Sequence, residues 1–157
     1  MDLIDREILH ILQTDVSISA RELGEQVGLT ATPCWRRVQN LVKEGVILNR
    51  VALLDPELLN LGISALVQIR TNDHSALWLQ DFQTAIGEFP EIIEAIRTSG
   101  EIDYMLRVIV PDILTYDSFY KRLINRVSLY DVRTIFEMES LKKTTALPLD
   151  YARFENT

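Results

Sequence analysis

The sequence predicts an α+β protein, with an N-terminal winged helix-turn-helix followed by a ferredoxin-like βαββαβ domain. Two observations carry this prediction. Apolar residues follow helical spacing in three short segments up to Gly45. Beyond residue 62 the segments follow one another as strand, helix, two strands, helix and strand, which is the order of the split βαβ arrangement. We assign residues 1–54 to the first domain, 55–61 to a linker and 62–157 to the second domain.

The composition is that of an ordinary globular protein, because 47% of the 157 residues are hydrophobic and 25% are charged. No apolar run approaches the roughly 18 residues of a membrane span, and the N-terminus lacks the segments of a signal peptide. We therefore expect a cytoplasmic protein without membrane contact. Cys34 is the only cysteine and the two histidines lie far apart. We expect no internal disulfide, no metal site and no cofactor.

The first two helices are indicated by periodicity and by their capping residues. Leu3–Leu12 places apolar residues at helical spacing, with Asp2 available as the N-cap. In the second helix Ser19 and Glu22 match a capping box, in which each side chain satisfies a free backbone amide. Gly28 is expected to end this helix.

The third helix is expected to begin after Thr30, its N-cap, and to stop at Gly45. Four apolar side chains form the predicted inner stripe: Cys34, Val38, Leu41 and Val42. Trp35 is expected to pack in the same interior, the alternatives being a redox switch at Cys34 and a stacking platform at Trp35. The following segment Val46–Leu54 is rich in Val and Leu, which predicts a small hairpin or wing, or a linking strand.

The second domain is predicted from segments of alternating type. Strands are expected at Ile63–Thr71, Glu91–Thr98, Ile102–Val110 and Val132–Leu141. Helices are expected at 75–89 and 111–127, each with an apolar stripe on one side. The helices cover one face of the sheet. The other face needs a cover, which suggests self-association.

The distribution of charge points to a nucleic-acid partner. The chain has a formal charge of −7, yet the segment from Gly28 to Lys43 holds two arginines and a lysine and no acid. In a helix-turn-helix the recognition helix lies in the major groove. Arginine suits guanine, asparagine and glutamine suit adenine, and threonines and free amides at a helix start suit phosphate. We predict that double-stranded DNA is bound by Thr30, Thr32, Arg36, Arg37, Gln39, Asn40 and Lys43.

The competing interpretation of Arg36 and Arg37 is a solvated helix face. Two further classes of function compete with DNA regulation: an assembly protein that does not bind DNA, and an amino-acid-binding regulatory subunit of a metabolic enzyme. The capped second helix and the threonine-rich start of the third favour DNA binding. No nucleophile–base pair or phosphate loop is visible in the sequence, so we do not expect an enzyme.

Several motifs carry a family resemblance. "LTATPCWRRVQNLVKEGVI" with "VALLDP", then "SGEIDYMLRVIVPD", and the ending "MESLKKTTALPL" resemble, in order, the Lrp/AsnC family of feast/famine regulators. The resemblance implies a nucleoid-associated transcription regulator whose assembly or DNA affinity is tuned by a small amino-acid effector. It also implies dimers that assemble into octamers or similar rings. The "TPCW", "VALLDP" and "TTALPL" motifs are similar to a proteobacterial subgroup that includes a cysteine-responsive member.

By the same resemblance, the loop in "RTSGEIDYML" lies at the effector pocket between subunits. Gly100 permits close approach of a ligand. The resemblance links Asp103 to effector response; its carboxylate suits an α-ammonium group, while Arg97 or backbone amides suit a carboxylate. The full expected set is Ala65, Arg97, Gly100, Glu101, Asp103, Ile113 and Ile135. The residues alone also allow a tight turn in which Glu101 and Asp103 are solvated.

Two departures from the family pattern restrict this transfer. Arg97 stands where leucine-responsive members have an apolar residue, so leucine specificity is not expected. The loop "NRVSLYDV" lacks the usual Pro-Gly. The contacts between dimers are therefore left undefined by the resemblance.

Overall fold

A computed structural model describes residues 1–154 of the chain. These residues form two units: Met1–Leu53 together with the C-terminal residues from Lys142 onward, and Leu54–Leu141. The last three residues of the expected second domain, 155–157, lie outside the described range. Across the described range, no helix combines the length and apolar character needed to cross a membrane.

The first unit is built on the helices α1 (Leu3–Leu12), α2 (Ala20–Gln26) and α3 (Ala31–Lys43). Both predicted side-chain caps at the starts of α1 and α2 are present. Asp2 caps α1 in a box with Asp5, and Ser19 caps α2 in a box with Glu22. The apolar sides of the helices meet in a core of Ile8, Leu23, Cys34, Val38 and Leu41. The predicted helix-turn-helix is confirmed.

The turn between α2 and α3 brings two stretches of backbone close together at Gly24. The Leu29 amide donates to the Gly24 carbonyl over 2.8 Å. A Cβ added at Gly24 would lie 2.7 Å from the Leu29 carbonyl oxygen, which is closer than real contacts allow. The turn itself contains Gly28 at a φ of 72°, a conformation that favours glycine. Gly24 therefore sets how closely α2 approaches the turn.

The segment after α3 corrects the expected wing. The amides of Val46 and Ile47 donate to the Leu41 carbonyl over 2.9 and 3.1 Å, which turns the chain back at the end of α3. Further along, Leu48 and Leu53 are 87% and 73% exposed. Residues 46–54 contain no strand, because no segment within residues 1–154 pairs with them. The expected hairpin or linking strand is thus irregular chain.

The C-terminal residues from Lys142 belong to the first unit because they pack along α1. The Gln13 side chain donates from Nε2 to the Leu147 carbonyl over 3.1 Å, and its Oε1 accepts from the Leu147 amide over 2.9 Å. Arg6 pairs with Asp150, which lies in a short 3-10 helix at Leu149–Tyr151. A cavity of about 270 Å³ lies between α1 and this segment. The second unit therefore ends at Leu141, earlier than the assigned range of 62–157.

The second unit is an antiparallel sheet with two helices packed on one face. Its elements are β1 (Ile63–Arg70), α4 (Ala76–Gly87), β2 (Ile92–Arg97), β3 (Tyr104–Val110), α5 (Ile113–Arg126) and β4 (Asp131–Phe136). The strand order is β2-β3-β1-β4, which confirms the predicted ferredoxin-like domain. β4 ends at Phe136, whereas the sequence predicted a strand to Leu141.

Alternation along the strands separates the two faces of the sheet. Val67 and Ile69 are fully buried beneath the helices, in a core that includes Phe82 and Phe119. The intervening side chains of β1 point to the opposite face, which we call the open face. β1 pairs with β4, and this register aligns Gln68 with Arg133 and Arg70 with Asp131. Polar side chains from two strands therefore meet on the open face.

Gly24→Ala should destabilise the first unit by about 1–3 kcal/mol, because the new methyl group forces the turn away from α2. Thermal unfolding followed by circular dichroism measures this loss. Gly87→Ala in α4 is the matched control, since an added Cβ there meets nothing within 4 Å and glycine replacement at such a site is neutral or stabilising. Equal melting temperatures for the two variants would contradict the role of Gly24.

Candidate nucleic-acid interface and effector cavity

The outer side of α3 presents most of the predicted DNA-contacting residues to solvent. Cys34, Val38 and Leu41 are buried on the inner side of the helix. We define the outer face of α3 as the exposed side chains on the opposite side: Thr32, Arg36, Gln39, Asn40 and Lys43. Across residues 1–154, no carboxylate forms an ion pair with Arg36 or Lys43. Their charges remain available to an external anion.

The start of α3 is open in a way that suits an anion. Thr30 occupies the N-cap position with extended backbone, but its side chain makes no capping hydrogen bond. The first turn contains no acidic residue, and the helix dipole places positive charge there. Thr30 and Thr32 are both exposed. Hydroxyl groups and free amides at a helix start are groups that bind phosphate oxygens.

Arg37 occupies a different environment from the one predicted. Its Nη1 lies 2.8 Å from a carboxylate oxygen of Asp2 and 2.8 Å from one of Asp5. The pKa of the Asp2 carboxyl lies below its usual value, mainly because the carboxylate accepts a hydrogen bond from the Asp5 amide. The neighbouring Arg37 lowers it further. The same carboxylates raise the pKa of Arg37. Arg37 therefore ties α3 to the start of α1, and its predicted contact with DNA stays a prediction.

Trp35 and Val42 are not in the interior where the sequence predicted them, whereas Cys34 is. Cys34 is buried, and burial raises the pKa of its thiol. Trp35 is 44% exposed and Val42 is 42% exposed. The guanidinium carbon of Arg50 lies 5.2 Å from the centroid of the Trp35 ring. The helix turns Trp35 away from the core, because Cys34 and Val38 already occupy the inner side.

A cavity on the open face of the second unit combines charges of both signs. It has a volume of about 200 Å³ and is lined by Gln68, Arg70, Glu101, Ile102, Asp131 and Arg133. Arg133 Nε lies 3.1 Å from Asp131 Oδ2. The Arg70 guanidinium carbon lies 5.6 Å from the centroid of the Tyr130 ring. The cavity thus offers cationic and anionic groups within one small volume.

The predicted effector residues are only partly brought together at this cavity. Glu101 lines it, next to Gly100 with a φ of 118°. The Asp103 carboxylate accepts from the Thr71 amide over 2.8 Å, so it holds the loop against the end of β1. Ile135 is 50% exposed and lies on the same face of β4 as Arg133.

Three predicted residues lie elsewhere. Ala65 has no exposed surface, because alternation along β1 directs it beneath the helices. Arg97 ends β2, and Ile113 begins α5 with 53% exposure. None of these side chains lines the cavity.

Sequence reasoning missed five residues of the cavity: Ile102 and the four polar residues Gln68, Arg70, Asp131 and Arg133. For the four polar residues the signal was alternation along the chain, although Asp131 lies one residue before the predicted last strand. Their meeting additionally required the register between β1 and β4, which alternation alone does not give.

Comparisons with known proteins agree with both halves of this arrangement. Residues 1–42 match the AsnC-type helix-turn-helix domain, and residues 64–147 match the Lrp/AsnC ligand binding domain. The chain is 47% identical over 151 residues to the DNA-binding transcriptional activator DecR of Escherichia coli strain K12, covering 96% of this chain and 99% of that protein. It is 48% identical to the glutamate uptake regulatory protein of Zymomonas mobilis over 149 residues, covering 95% and 91%.

Solved structures show the same architecture. An AsnC family transcriptional regulator from Agrobacterium tumefaciens superposes with a TM-score of 0.94 at 51% identity, covering 98% of this chain and all of that one. A transcriptional regulator from Neisseria meningitidis, in complex with L-Met, superposes with a TM-score of 0.91 at 30% identity, covering 96% and 97%.

A helix-turn-helix unit joined to a ferredoxin-like unit defines a class of DNA-binding transcriptional regulators with a ligand-binding domain. Within that class, this chain belongs to the Lrp/AsnC family.

Arg37→Ala should lower stability by roughly 1 kcal/mol at neutral pH, since Asp2 and Asp5 lose their shared cation. The folded-state pKa of Asp2 is depressed. Its stabilisation is therefore present above the unfolded-state pKa of about 3.9 and disappears as pH falls through the folded value. Thermal melts of wild type and variant at pH 7 and about pH 2 should converge at the lower pH.

Arg36→Ala is the control for this experiment, because Arg36 is exposed on the other side of the helix and should leave the melting temperature unchanged. If Arg37→Ala instead left stability intact and weakened the salt dependence of DNA binding, the role of Arg37 would be DNA contact and not the tie to α1.

Proposed function

We propose that α3 enters the major groove of duplex DNA and that its outer face reads the operator. The supporting observation is that this face carries neutral and basic side chains without internal ion pairs. Arg36 and Asn40 lie one helical turn apart on this face. They suit guanine and adenine edges respectively, and Gln39 flanks them.

The phosphate contacts are proposed for the two ends of α3. At its start, Thr30, Thr32 and the uncapped amides suit phosphate oxygens. At its end, Lys43 supplies a cation. Such contacts fix the orientation of the helix on the duplex without carrying sequence information. A regulator that binds DNA acts where the chromosome lies, so we place the protein in the cytoplasm, at the nucleoid.

Arg36→Ala should weaken binding to the duplex upstream of the protein's own gene by about 1–3 kcal/mol, with little change for a random-sequence duplex. Fluorescence anisotropy titrations with both duplexes measure the two affinities. Lys121→Ala is the control, because Lys121 is an exposed cation of the second unit paired with Asp117. Equal losses on both duplexes would mean that Arg36 contacts phosphate and reads no base.

We further propose that the cavity lined by Arg70, Glu101 and Arg133 binds an amino-acid effector. A free amino acid carries one carboxylate and one ammonium group. Guanidinium groups suit the carboxylate, and the carboxylates of Glu101 and Asp131 suit the ammonium. The L-Met complex of the related regulator supports this class of ligand.

The proposed effector role of Asp103 is to position the loop. Its carboxylate already binds the Thr71 amide, so it holds Gly100 and Glu101 at the edge of the cavity. Ile135 contributes an apolar surface on the same face of β4. Arg97, Ile113 and Ala65 act on the effector only through neighbouring residues or through another subunit.

Self-association is proposed because the open face carries apolar side chains that the helices do not cover. Ile96 and Ile135 are 45% and 50% exposed on this face, and Leu66 and Met105 lie between them in the sheet register. Burial of such side chains stabilises by about 25 cal/mol per Å² of apolar surface. We propose dimers that assemble further into octamers or similar rings.

Effector binding and assembly are coupled only if the effector binds two assembly states with unequal affinity.

We propose no catalytic reaction for the chain, because the proposed function is that of a regulator and the names of the related proteins are those of regulators.

At least one of the natural amino acids, with cysteine and glutamate in the set tested, should raise the melting temperature of the protein. A ligand that binds only the folded state stabilises that state. Arg133→Ala should abolish the shift, since Arg133 lines the cavity. Arg122→Ala is the control: Arg122 pairs with Glu91 away from the cavity lining. A shift that survives in Arg133→Ala would move the effector to another site.

Light scattering on the same samples follows assembly with and without the active amino acid. A single species of 18.0 kDa at all concentrations would contradict self-association.

A further inference from the structure

Trp35 is a large aromatic side chain that lies outside the core of the first unit. It is 44% exposed, although Cys34 beside it is fully buried. It directly precedes Arg36 and lies one helical turn before Gln39, so it borders the outer face of α3. An exposed aromatic ring at the edge of a nucleic-acid interface serves either as a contact or as a support for another group.

The group that Trp35 supports is Arg50. The guanidinium carbon of Arg50 lies 5.2 Å from the ring centroid, within the range of an attractive cation–π contact. Arg50 comes from the irregular segment after α3, where no backbone ladder restrains it. The ring therefore restricts the side chain, and this lowers the entropy lost when the guanidinium binds a further partner.

The contact with the ring leaves the N–H donors of Arg50 without a carboxylate partner within the described range of the chain. A guanidinium stacks through its face, while its N–H donors point outward in the plane. Among the residues that the structure describes, no carboxylate forms an ion pair with Arg50. Between Glu44 and Leu61 it is the only cation in the sequence. An unpaired, oriented guanidinium beside a DNA-contacting helix matches the geometry of a phosphate oxygen pair.

We propose that Arg50, held on the Trp35 ring, binds a backbone phosphate of the duplex whose major groove receives α3. The contact supplies one charge-assisted anchor outside α3 and fixes how the helix is oriented in the groove. It carries no sequence information. The inference rests on the proposed function, since it requires α3 to lie on DNA, but it names a residue and a role that the outer face of α3 does not include.

The test compares Arg50→Ala, Arg50→Lys and Trp35→Leu in anisotropy titrations against the duplex upstream of the gene and a random-sequence duplex of equal length, over a range of salt. Arg50→Ala should weaken both duplexes by the same factor, roughly three- to tenfold, and lower the slope of log K against log salt by about 1. Arg50→Lys should keep the slope, because it keeps the charge, and lose part of the affinity because it lacks the planar donors.

Trp35→Leu should weaken both duplexes to a smaller extent. Adding it to Arg50→Ala should cost nothing more, since the ring acts through Arg50. A loss in the double variant equal to the product of the single losses would overturn the supporting role of Trp35. Circular dichroism melts check that each variant is folded, and Lys121→Ala is again the control for loss of one surface cation.

The outcomes separate this inference from the proposed function. If Arg36→Ala weakens the specific duplex while Arg50→Ala changes neither affinity nor salt slope, the Arg50 contact is overturned and the placement of α3 stands. If neither variant changes binding, both are overturned. A loss confined to the specific duplex in Arg50→Ala would assign it to base recognition and also overturn the phosphate role.

Discussion

Burial of the inner side of α3 is the interaction on which the first unit depends. Cys34, Val38 and Leu41 are each at most 2% exposed and supply three of the five core residues of the unit. Burying a Val or Leu side chain stabilises by about 1.5–3 kcal/mol. Formation of this core therefore also fixes the orientation of the outer face of α3. A side chain on the outer face needs no partner inside the unit to be held in position, because the opposite side of the same helix is fixed.

Three acidic residues of the first unit are engaged within that unit, away from the outer face of α3. Asp2 and Asp5 satisfy amides at the start of α1 and also neutralise Arg37, and Glu22 is engaged in the cap of α2. The outer face of α3 holds no acid. Charges at a surface act over a Debye length of about 8 Å at physiological salt. The local cations can therefore attract DNA although the whole chain has a net charge of −7.

The parts of the fold that the sequence predicted are those governed by local rules. Caps and apolar periodicity located the helices, and strand order followed from the alternation of segment types. What local rules did not give includes contacts between distant residues. The Arg37 pairing joins α3 to a segment more than 30 residues earlier, which helical periodicity does not reveal. Trp35 looked like a core residue by type, but the inner side of α3 was already filled. The cavity residues Arg70 and Arg133 needed the β1–β4 register, and the expected effector residues included neither of them.

The strand β4, which lines the cavity, is followed along the chain by the segment that belongs to the first unit. β4 carries Asp131 and Arg133, and the residues that follow it run into the segment held against α1 by Gln13. The chain thus passes between the two units twice, once near Leu53 and once near Leu141. A paired set of two hydrogen bonds contributes only about 1–3 kcal/mol, which is comparable to the coupling free energies of allosteric proteins. Under the proposed effector role of the cavity, a change of that size at β4 would be enough to alter how the C-terminal segment binds α1, and α1 contributes Ile8 to the same core that fixes α3.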